Sequence, residues 1–275
     1  MPIPEKLKQR LELLGLDESI YSQRTRKCIV ARETLPLKHV PWCSDAYFIP
    51  PDIEHKGNHP VFDPVSIVPC LALGPKPGDR ILDMCAAPGI KTYILSFLTE
   101  NKAHIAANDI NRTRLRRLQA LVNRFSLNCS ISNISGRKLE GSFNKILLDA
   151  PCSGEGMVNK KEKLFRTWSE RHVKFLAKKQ KKLIAHAFDM LAYDGTLVYS
   201  ACTFAPEENE GVVDFLLKKH TDAVPVAIHA NIHHAGGIRS WDGKEFDSRV
   251  AQCMRIYPQH NGTGGFFVAK LTKQA

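Results

Sequence analysis

Residues 80–98 read RILDMCAAPGIKTYILSFL, and this stretch decides the fold. A short apolar run at 80–84 is followed by a loop of small residues and then by apolar residues at helical spacing. Residues 80–84 therefore predict a buried strand, and residues 91–100 predict a helix that begins directly after the loop. A strand that turns at once into a helix is the repeating unit of parallel α/β sheets.

The same alternation continues along the chain. Further apolar runs predict strands at 103–108, 129–134, 145–149, 195–202 and 265–271. Helical patterns lie between most of them, at 112–126, 169–192 and 207–219. Apolar strands separated by helices predict an α/β fold with a mostly parallel sheet that is covered by helices on both faces. In such sheets ligands bind beyond the carboxyl ends of the strands, so the loops that follow the strands are the candidate sites.

The loop after the first core strand is the candidate cofactor site. Its predicted binding residues are Cys85, Ala86, Ala87, Pro88, Gly89, Ile90 and Lys91. Small residues let the backbone approach a ligand, and a helix N-terminus presents free N–H groups and a positive dipole end. One glycine in place of G-x-G-x-x-G disfavours a pyrophosphate and favours a carboxylate, such as the methionine tail of S-adenosyl-L-methionine.

Asp109 ends the next predicted strand, where α/β nucleotide folds bind ribose hydroxyls. A tight turn and a helix-capping aspartate are the alternatives for the loop and for Asp109 taken singly. The loop and the acid together, at this spacing, predict an adenosine-containing cofactor.

Two cysteines follow two other predicted strands. The strand 145–149 ends at Asp149 and is followed by Cys152, and the strand 195–202 ends at Cys202. Because parallel strands end at the same edge, both thiols and Asp149 are expected on the rim that carries the cofactor loop. A small buried cysteine is the alternative for either thiol taken singly. Together with an acid and a cofactor loop, the pair favours nucleophilic chemistry.

A thiolate on such a rim suits addition to a pyrimidine ring. Cytosine carbon-5 is a poor nucleophile, and a thiolate that adds to carbon-6 makes carbon-5 enamine-like and able to take a methyl group. Cysteine fits this step because its thiolate attacks strongly and leaves again on elimination. Asp149, protonated or sharing a proton with the base, would hydrogen-bond the ring edge and stabilise the adduct.

The charge balance points to a polyanionic partner. Lysine and arginine number 39 against 28 acidic residues, which gives a formal net charge of +11. Neutralising phosphates releases counterions, so this surplus favours nucleic acid, with a generic basic protein as the alternative.

No membrane span, signal peptide or metal site is predicted. The chain contains no run of about 18 apolar residues, and residues 1–6 lack the apolar core of a signal peptide. We therefore expect a cytoplasmic protein with reduced thiols. Eight scattered cysteines without a C-x-x-C pair predict neither structural zinc nor a disulfide framework.

These segments resemble the Nol/Nop/Sun family of RNA cytosine-5 methyltransferases over roughly residues 38–272. The motifs that carry the resemblance are Asp83-Met84-Cys85-Ala86-Ala87-Pro88-Gly89, Asp149-Ala150-Pro151-Cys152-Ser153-Gly154, and Tyr199-Ser200-Ala201-Cys202-Thr203 with Pro206-Glu207-Glu208-Asn209-Glu210. The resemblance implies the Rossmann-like class I methyltransferase fold with a mostly parallel, seven-stranded sheet, S-adenosyl-L-methionine as cofactor and RNA as substrate. The short form resembles the archaeal transfer-RNA enzymes, which makes tRNA the first choice of substrate and rRNA the second.

The resemblance also implies roles for the cofactor residues. Residues 85–91 would cradle the cofactor, Asp109 would take its ribose, and Arg114 would support that corner. A solvated first-turn lysine is the alternative for Lys91. The chain departs from the family at the third strand, where Ser135 stands in place of the usual acid that touches the adenine.

For the chemistry, the resemblance implies that Cys202 is the nucleophile and that Cys152 assists release of the product. Asp149 would lie beside both the reactive methyl group and the base. The base must leave any stack to reach Cys202, so a bulge, a loop or an opened helix junction is the expected target.

Three basic clusters are candidates for RNA binding. Residues 160–182 hold ten Lys/Arg against two Glu, and solvated helix faces are the alternative for the individual side chains. The other clusters are Arg112, Arg114, Arg116, Arg117 and Arg124, and Arg24, Arg26, Lys27 and Arg32. The aromatic residues considered for base stacking, with core packing as the alternative, are Phe165, Trp168 and Trp42.

The predicted domains are an N-terminal RNA-binding element at 1–60 and the methyltransferase domain at 61–275. Within the element, residues 5–16 predict a helix that Gly15 stops, and residues 27–31 predict a strand. We expect a monomer.

Other functions fit part of the pattern. A DNA cytosine-5 methyltransferase uses similar chemistry, but its nucleophile lies in the Pro-Cys loop, whereas Cys202 and the sequence that follows it favour RNA. A base N-methyltransferase is disfavoured because Asp-Ala-Pro-Cys lacks the aromatic residue that stacks on an exocyclic amine. A non-catalytic RNA-binding or ribosome-assembly factor that keeps the fold is a further alternative.

Overall fold

The structure of the protein is a computed structural model that describes residues 2–52 and 57–274. Its helices are α1 (Glu5–Leu13), α2 (Ile67–Leu73), α3 (Ile90–Leu98), α4 (Arg112–Phe125), α5 (Lys161–Thr167), α6 (Glu170–Asp189), α7 (Glu210–Lys219) and α8 (Pro258–Asn261). Its strands are β1 (Lys27–Val30), β2 (His39–Val40), β3 (Cys43–Ile49), β4 (Arg80–Asp83), β5 (His104–Asn108), β6 (Cys129–Ser132), β7 (Phe143–Asp149), β8 (Leu191–Ala201), β9 (Ala223–Val226), β10 (Ala235–Gly236), β11 (Ser240–Trp241), β12 (Lys244–Glu245), β13 (Met254–Ile256) and β14 (Phe266–Lys273).

The main sheet has the order β10-β13-β14-β8-β7-β4-β5-β6, with β9 beside β14. Strands β4 to β8 pair in parallel. Strand β14 runs antiparallel to β8, and β9 and β13 run antiparallel to β14. Seven strands, β4 to β8 with β9 and β13, therefore point one way, and β10 and β14 point the other way. The predicted α/β fold with a mostly parallel sheet is confirmed.

The described sheet has nine strands where seven were expected. The outer edge of β14 takes two partners, because β13 pairs with residues 266–268 and β9 pairs with residues 270–273. The two-residue strand β10 then extends the sheet beyond β13. These additions are too short to give a strand pattern in the sequence.

The core strands send alternate residues into two apolar clusters, one on each face. In β4, Ile81 packs in the cluster with α2, α3 and α4, and Leu82 packs in the cluster with α6 and α7. Val198 and Tyr199 of β8 divide in the same way. This period of two on a sheet covered on both faces is what the continuous apolar runs predicted.

The N-terminal residues pack on this core at two places. The small antiparallel sheet β1-β3-β2 contributes Cys28, Val30 and Phe48 to the main apolar cluster. Helix α1 ends at Leu13, because Gly15 takes a left-handed φ of 71°, and it buries Leu7. Met1 and residues 53–56 of the predicted element, and Ala275 of the predicted main domain, lie outside the described residues, and the boundary at residue 60 stays a prediction.

Candidate active site

The loop between β4 and α3 forms one wall of a cavity of about 750 Å³. The loop residues that line the cavity are Cys85, Ala86, Ala87, Pro88, Ile90 and Lys91. Gly89 precedes α3 with a φ of 113°, and a Cβ added there would lie 2.9 Å from Leu118 Cδ1. Glycine is therefore needed at this position both for the backbone conformation and for the contact between the loop and α4.

Asp109 lies beneath this loop and does not line the cavity. Its Oδ2 accepts a hydrogen bond from the Ala87 N–H at 3.1 Å, its Oδ1 accepts one from the Asn111 N–H at 2.8 Å, and the residue is 3% exposed. Arg114 lines the cavity, donates to the Ala87 carbonyl, and places Nη1 3.5 Å from Asp109 Oδ2. Asp109 and Arg114 thus orient the loop, while contact with a ribose stays a prediction.

Asp83 is a cavity residue that the sequence analysis quoted in a motif but did not select as a site residue. It is fully buried at the end of β4, where Oδ2 accepts from Thr92 Oγ1 at 2.7 Å and Oδ1 has no hydrogen-bond partner. Burial raises the pKa of this carboxyl to about 7. An unpaired carboxyl oxygen close to the N-terminus of α3 fits a ligand with both an ammonium and a carboxylate group, as the methionine end of S-adenosylmethionine has. Asp83 is the last residue of the strand before the cofactor loop, and this position in the sequence could have identified it as a site residue.

Lys91 connects the cofactor loop with the end of β7. Its Nζ lies 2.7 Å from Asp149 Oδ2, and Ser200 Oγ donates to Asp149 Oδ1 at 2.9 Å. Burial lowers the pKa of Lys91, but the Asp149 carboxylate more than offsets this and the pKa is raised. Lys91 is therefore a cavity residue whose side chain is only 13% exposed, and not a solvated lysine. Asp149 lines the cavity and accepts hydrogen bonds from both Lys91 and Ser200.

Cys152 and Cys202 meet at the same cavity. Their Sγ atoms lie 3.0 Å apart, and both residues line the cavity together with Asp149. Strands β7 and β8 are parallel neighbours with Asp149 opposite Ser200, so strand pairing brings the two cysteine loops together. The hydrogen bond with Cys202, together with burial, raises the pKa of the Cys152 thiol well above its ordinary value. The rim therefore brings together two thiols, an acid and the small-residue loop.

Two ion pairs anchor the turn after Cys202. Buried Arg255 of β13 makes two contacts of 2.6 Å with Glu210 and donates to the Phe204 carbonyl at 3.1 Å. Arg10 of α1 donates to both carboxylate oxygens of Glu207, at 2.6 and 3.1 Å. Sequence reasoning quoted the two glutamates in a motif but missed both arginines, because no local spacing links residues so far apart in the chain.

Cationic side chains from all three basic clusters line the cavity. They are Lys27, Arg114, Arg117, Lys160 and Lys163, in addition to Lys91. Positive charge around this cavity suits a substrate with a phosphate backbone.

The three aromatic residues considered for base stacking are half-buried and pack against the apolar clusters. Phe165 meets Tyr21 edge-on with ring centroids 5.1 Å apart. Trp168 donates to Glu155 at 2.8 Å, and Trp42 donates to the Pro64 carbonyl at 3.3 Å. Each also contacts a buried apolar cluster. Packing against the core, the alternative interpretation, is what these contacts favour.

Within residues 2–52 and 57–274, no group of His, Cys, Asp and Glu side chains is arranged to hold a metal ion. All eight cysteines are free thiols. No helix in this part of the chain is long and apolar enough to cross a membrane.

The fold and the site define a class of protein, the α/β methyltransferases that use S-adenosylmethionine. A family model described as 16S rRNA methyltransferase RsmB/F matches residues 70–272. The chain therefore belongs to the RsmB/F family of RNA cytosine-5 methyltransferases, which is the Nol/Nop/Sun family that the motifs predicted. The predicted family and its cofactor, S-adenosylmethionine, are confirmed.

Relatives in this family are named for different RNAs. A tRNA (cytosine(49)-C(5))-methyltransferase of Pyrococcus abyssi is 40% identical over 212 residues, which cover 76% of this chain and 68% of the relative. Ribosomal RNA small subunit methyltransferase F of Vibrio cholerae is 34% identical over 284 residues, which cover 97% of this chain and 57% of the relative. A 26S rRNA (cytosine-C(5))-methyltransferase of Caenorhabditis elegans is 36% identical, and the chain spans 32% of its length.

Solved structures agree with the fold. In the crystal structure of NSun6 from Pyrococcus horikoshii with SFG, the protein is 34% identical in sequence to this chain and superposes with a TM-score of 0.70. The match covers 82% of this chain and 56% of that one. A methyltransferase homolog protein from Pyrococcus horikoshii is 26% identical with a TM-score of 0.81, over 98% of this chain and 100% of that one.

Proposed function

We propose that this chain transfers a methyl group from S-adenosylmethionine to carbon-5 of cytosine in RNA, with tRNA as the substrate. The observation that carries the proposal is the meeting of Cys202, Cys152 and Asp149 at one cavity, with the two sulfur atoms 3.0 Å apart. The tRNA enzyme that is 40% identical supports the choice of RNA.

In this proposal Cys202 is the nucleophile. Its thiolate adds to carbon-6, which makes carbon-5 electron-rich enough to take the methyl group. Lys91, which lines the same cavity, interacts electrostatically with Cys202. Loss of the carbon-5 proton then breaks the bond from Cys202 to carbon-6 and restores the aromatic ring, and Cys152 assists this release.

The cofactor, when bound, supplies an electrophilic methyl group on a sulfonium centre. Residues 85–91 would hold its methionine end, with Asp83 Oδ1 facing the ammonium. Asp109 and Arg114 would hold the ribose side, as the family resemblance implies. Asp149, fixed by Lys91 and Ser200, would accept a hydrogen bond from the base.

Replacing each cysteine tests these roles. Cys202→Ala should abolish methylation of RNA, whereas Cys152→Ala should form a covalent RNA–protein adduct that a denaturing gel detects. Cys129→Ala, in a cysteine that does not line the cavity, is the matched control and should keep full turnover. An adduct in Cys202→Ala and none in Cys152→Ala would instead favour the arrangement of DNA enzymes.

Ribosomal RNA is the second candidate substrate, because the rRNA enzyme of Vibrio cholerae aligns with 97% of this chain. Bisulfite sequencing of total RNA from a strain that lacks the protein separates the two. A cytosine that loses its methylation in tRNA supports the proposal, and one in rRNA contradicts the tRNA assignment. Absence of S-adenosylmethionine binding in a calorimetric titration would favour a non-catalytic RNA-binding factor.

The proposal includes a path for the RNA. Lys27, on the N-terminal element at 1–60, lines the cavity and would contact phosphate together with Lys160 and Lys163. A cytoplasmic location agrees with eight free thiols. A monomeric state stays a prediction.

A further inference from the structure

Two buried polar side chains hold the residues on either side of Cys152. Gln180 of α6 donates from Nε2 to the Pro151 carbonyl at 2.8 Å and to Glu208 Oε2 at 2.8 Å. The same Glu208 oxygen accepts a hydrogen bond from the Ser153 N–H at 3.0 Å. Gln180 and Glu208 are both 0% exposed, so water does not compete for these bonds.

The same network ties the Cys152 loop to the turn after Cys202. Ser153 Oγ lies 2.8 Å from Thr203 Oγ1, so the residues that follow the two cysteines are bonded to each other. Glu208 lies on that turn, and its carbonyl accepts from the Tyr199 hydroxyl at 2.5 Å. The two loops are therefore held together at several points.

We propose that Gln180 and Glu208 are positioning residues that hold Cys152 in contact with Cys202 and thereby set the rate of product release. The inference rests on the proposed function, in which Cys152 assists the last step. In that step Cys152, as its thiolate, takes the carbon-5 proton, the electron pair of the carbon–hydrogen bond forms the carbon-5–carbon-6 double bond, and the bond from carbon-6 to sulfur breaks so that Cys202 departs as a thiolate. Neither positioning residue lines the cavity, so both act through the loop that carries Cys152.

Gln180→Met tests the inference, because it removes both donated hydrogen bonds and keeps a side chain of similar length. Turnover should fall on the order of 10- to 100-fold, as expected when a reacting group is displaced by about 1 Å. Adduct formation in a single turnover should stay close to that of the wild type, so the covalent RNA adduct should accumulate. Gln119→Met, in an exposed glutamine of α4, is the matched control. A variant that slows adduct formation and release equally, without accumulation, would overturn the inference.

A second measurement on the free protein does not depend on the function. Diamide takes two hydrogen atoms from two neighbouring thiols and leaves a disulfide, so the rate at which the Cys152–Cys202 disulfide forms reports their contact. Mass spectrometry should show this rate reduced on the order of 10-fold in Gln180→Met and unchanged in Gln119→Met. An equal rate in all three proteins contradicts the positioning role.

The outcomes separate the two proposals. If the wild-type protein forms the disulfide rapidly but methylates no RNA, the proposed function is contradicted, while the proposed positioning of the thiols is still supported. If Gln180→Met does not fold, Glu208→Met replaces it, because it removes the one oxygen that accepts from both Ser153 and Gln180. Glu208→Met should show the same accumulation of the adduct, and normal adduct levels there would contradict the inference.

Discussion

The two halves of the cavity are held in different ways. In the cofactor half, the supporting bonds join residues close in the chain: Thr92 to Asp83 over 9 positions, and Ala87 to Asp109 over 22. In the cysteine half, Arg255 reaches Glu210 over 45 positions and Arg10 reaches Glu207 over 197. The cofactor half is thus largely a local structure, while the position of the two thiols depends on the tertiary fold. Substitutions should therefore be able to damage either half separately.

The largest expected effect breaks the cofactor half alone. Gly89→Ala combines a φ of 113° with a methyl group 2.9 Å from Leu118 Cδ1, so the loop and α3 must shift. Calorimetry should show the affinity for S-adenosylmethionine reduced on the order of 100-fold. The diamide rate of Cys152 with Cys202 should stay as in the wild type, because that pair is held by other residues.

Gly78→Ala is the matched control for this variant. Its φ is 87°, so it imposes a comparable backbone strain, but nothing lies within 4 Å of the added Cβ. Cofactor binding in Gly78→Ala should be close to normal. An equal loss of affinity in both variants would show that the effect comes from general strain and not from the loop.

The same contrast explains what the sequence could predict. The strands and helices that carry the site were predicted within a few residues, because each has its own apolar pattern and the loop after β4 follows from one continuous stretch. The meeting of Cys152 with Cys202 was also predicted, since parallel strands end on one rim. Gln180, Arg10 and Arg255 were not found, because a polar residue on a helix or strand that bonds a distant segment has no partner that spacing can identify.

Trp168 shows the other limit. It was considered for base stacking as an aromatic residue in a basic segment, yet its indole donates to buried Glu155. The partners of such a side chain come from neighbouring elements, and a single sequence does not contain that information. Asp109 was selected by its position and spacing, and its backbone hydrogen bonds could not be predicted either, while its contact with a ribose stays a prediction.

A second prediction tests whether RNA binds at the cysteine half of the cavity and not at the cofactor half. Lys160 and Lys163 line the cavity, in the segment that follows the Cys152 loop. The double variant Lys160→Ala/Lys163→Ala should weaken RNA binding about 10-fold at moderate salt, and should reduce the slope of log K against log salt by about 1.5. Affinity for S-adenosylmethionine should not change.

The control for this variant is Lys178→Ala/Lys179→Ala, which removes the same charge from exposed positions of α6 that do not line the cavity. Fluorescence anisotropy with a labelled RNA at several salt concentrations measures both pairs. If the two double variants lose RNA affinity equally, the net charge of the protein and not the cavity would be responsible.

The smallest expected effect concerns stability, because the cysteine half contains a buried acid, Glu208. Burial raises the pKa of Glu208 from its ordinary value of 4.5 to about 8. The folded protein therefore binds this proton more tightly than the unfolded chain does, and the contribution of Glu208 to stability falls as the pH rises from about 4.5 to about 8. Glu208→Gln has no proton to lose at this position.

The stability of Glu208→Gln relative to the wild type should consequently rise between pH 5 and pH 8 and then level off, even where the lost hydrogen bond makes the variant less stable overall. Urea unfolding across this range measures the difference, and Glu162→Gln, in an exposed glutamate of α5, should show none of the trend. Parallel curves for Glu208→Gln and the wild type would mean that Glu208 titrates alike in the folded and unfolded chains. Burial of the carboxyl that fixes the Cys152 loop would then not lower the free energy of unfolding at neutral pH.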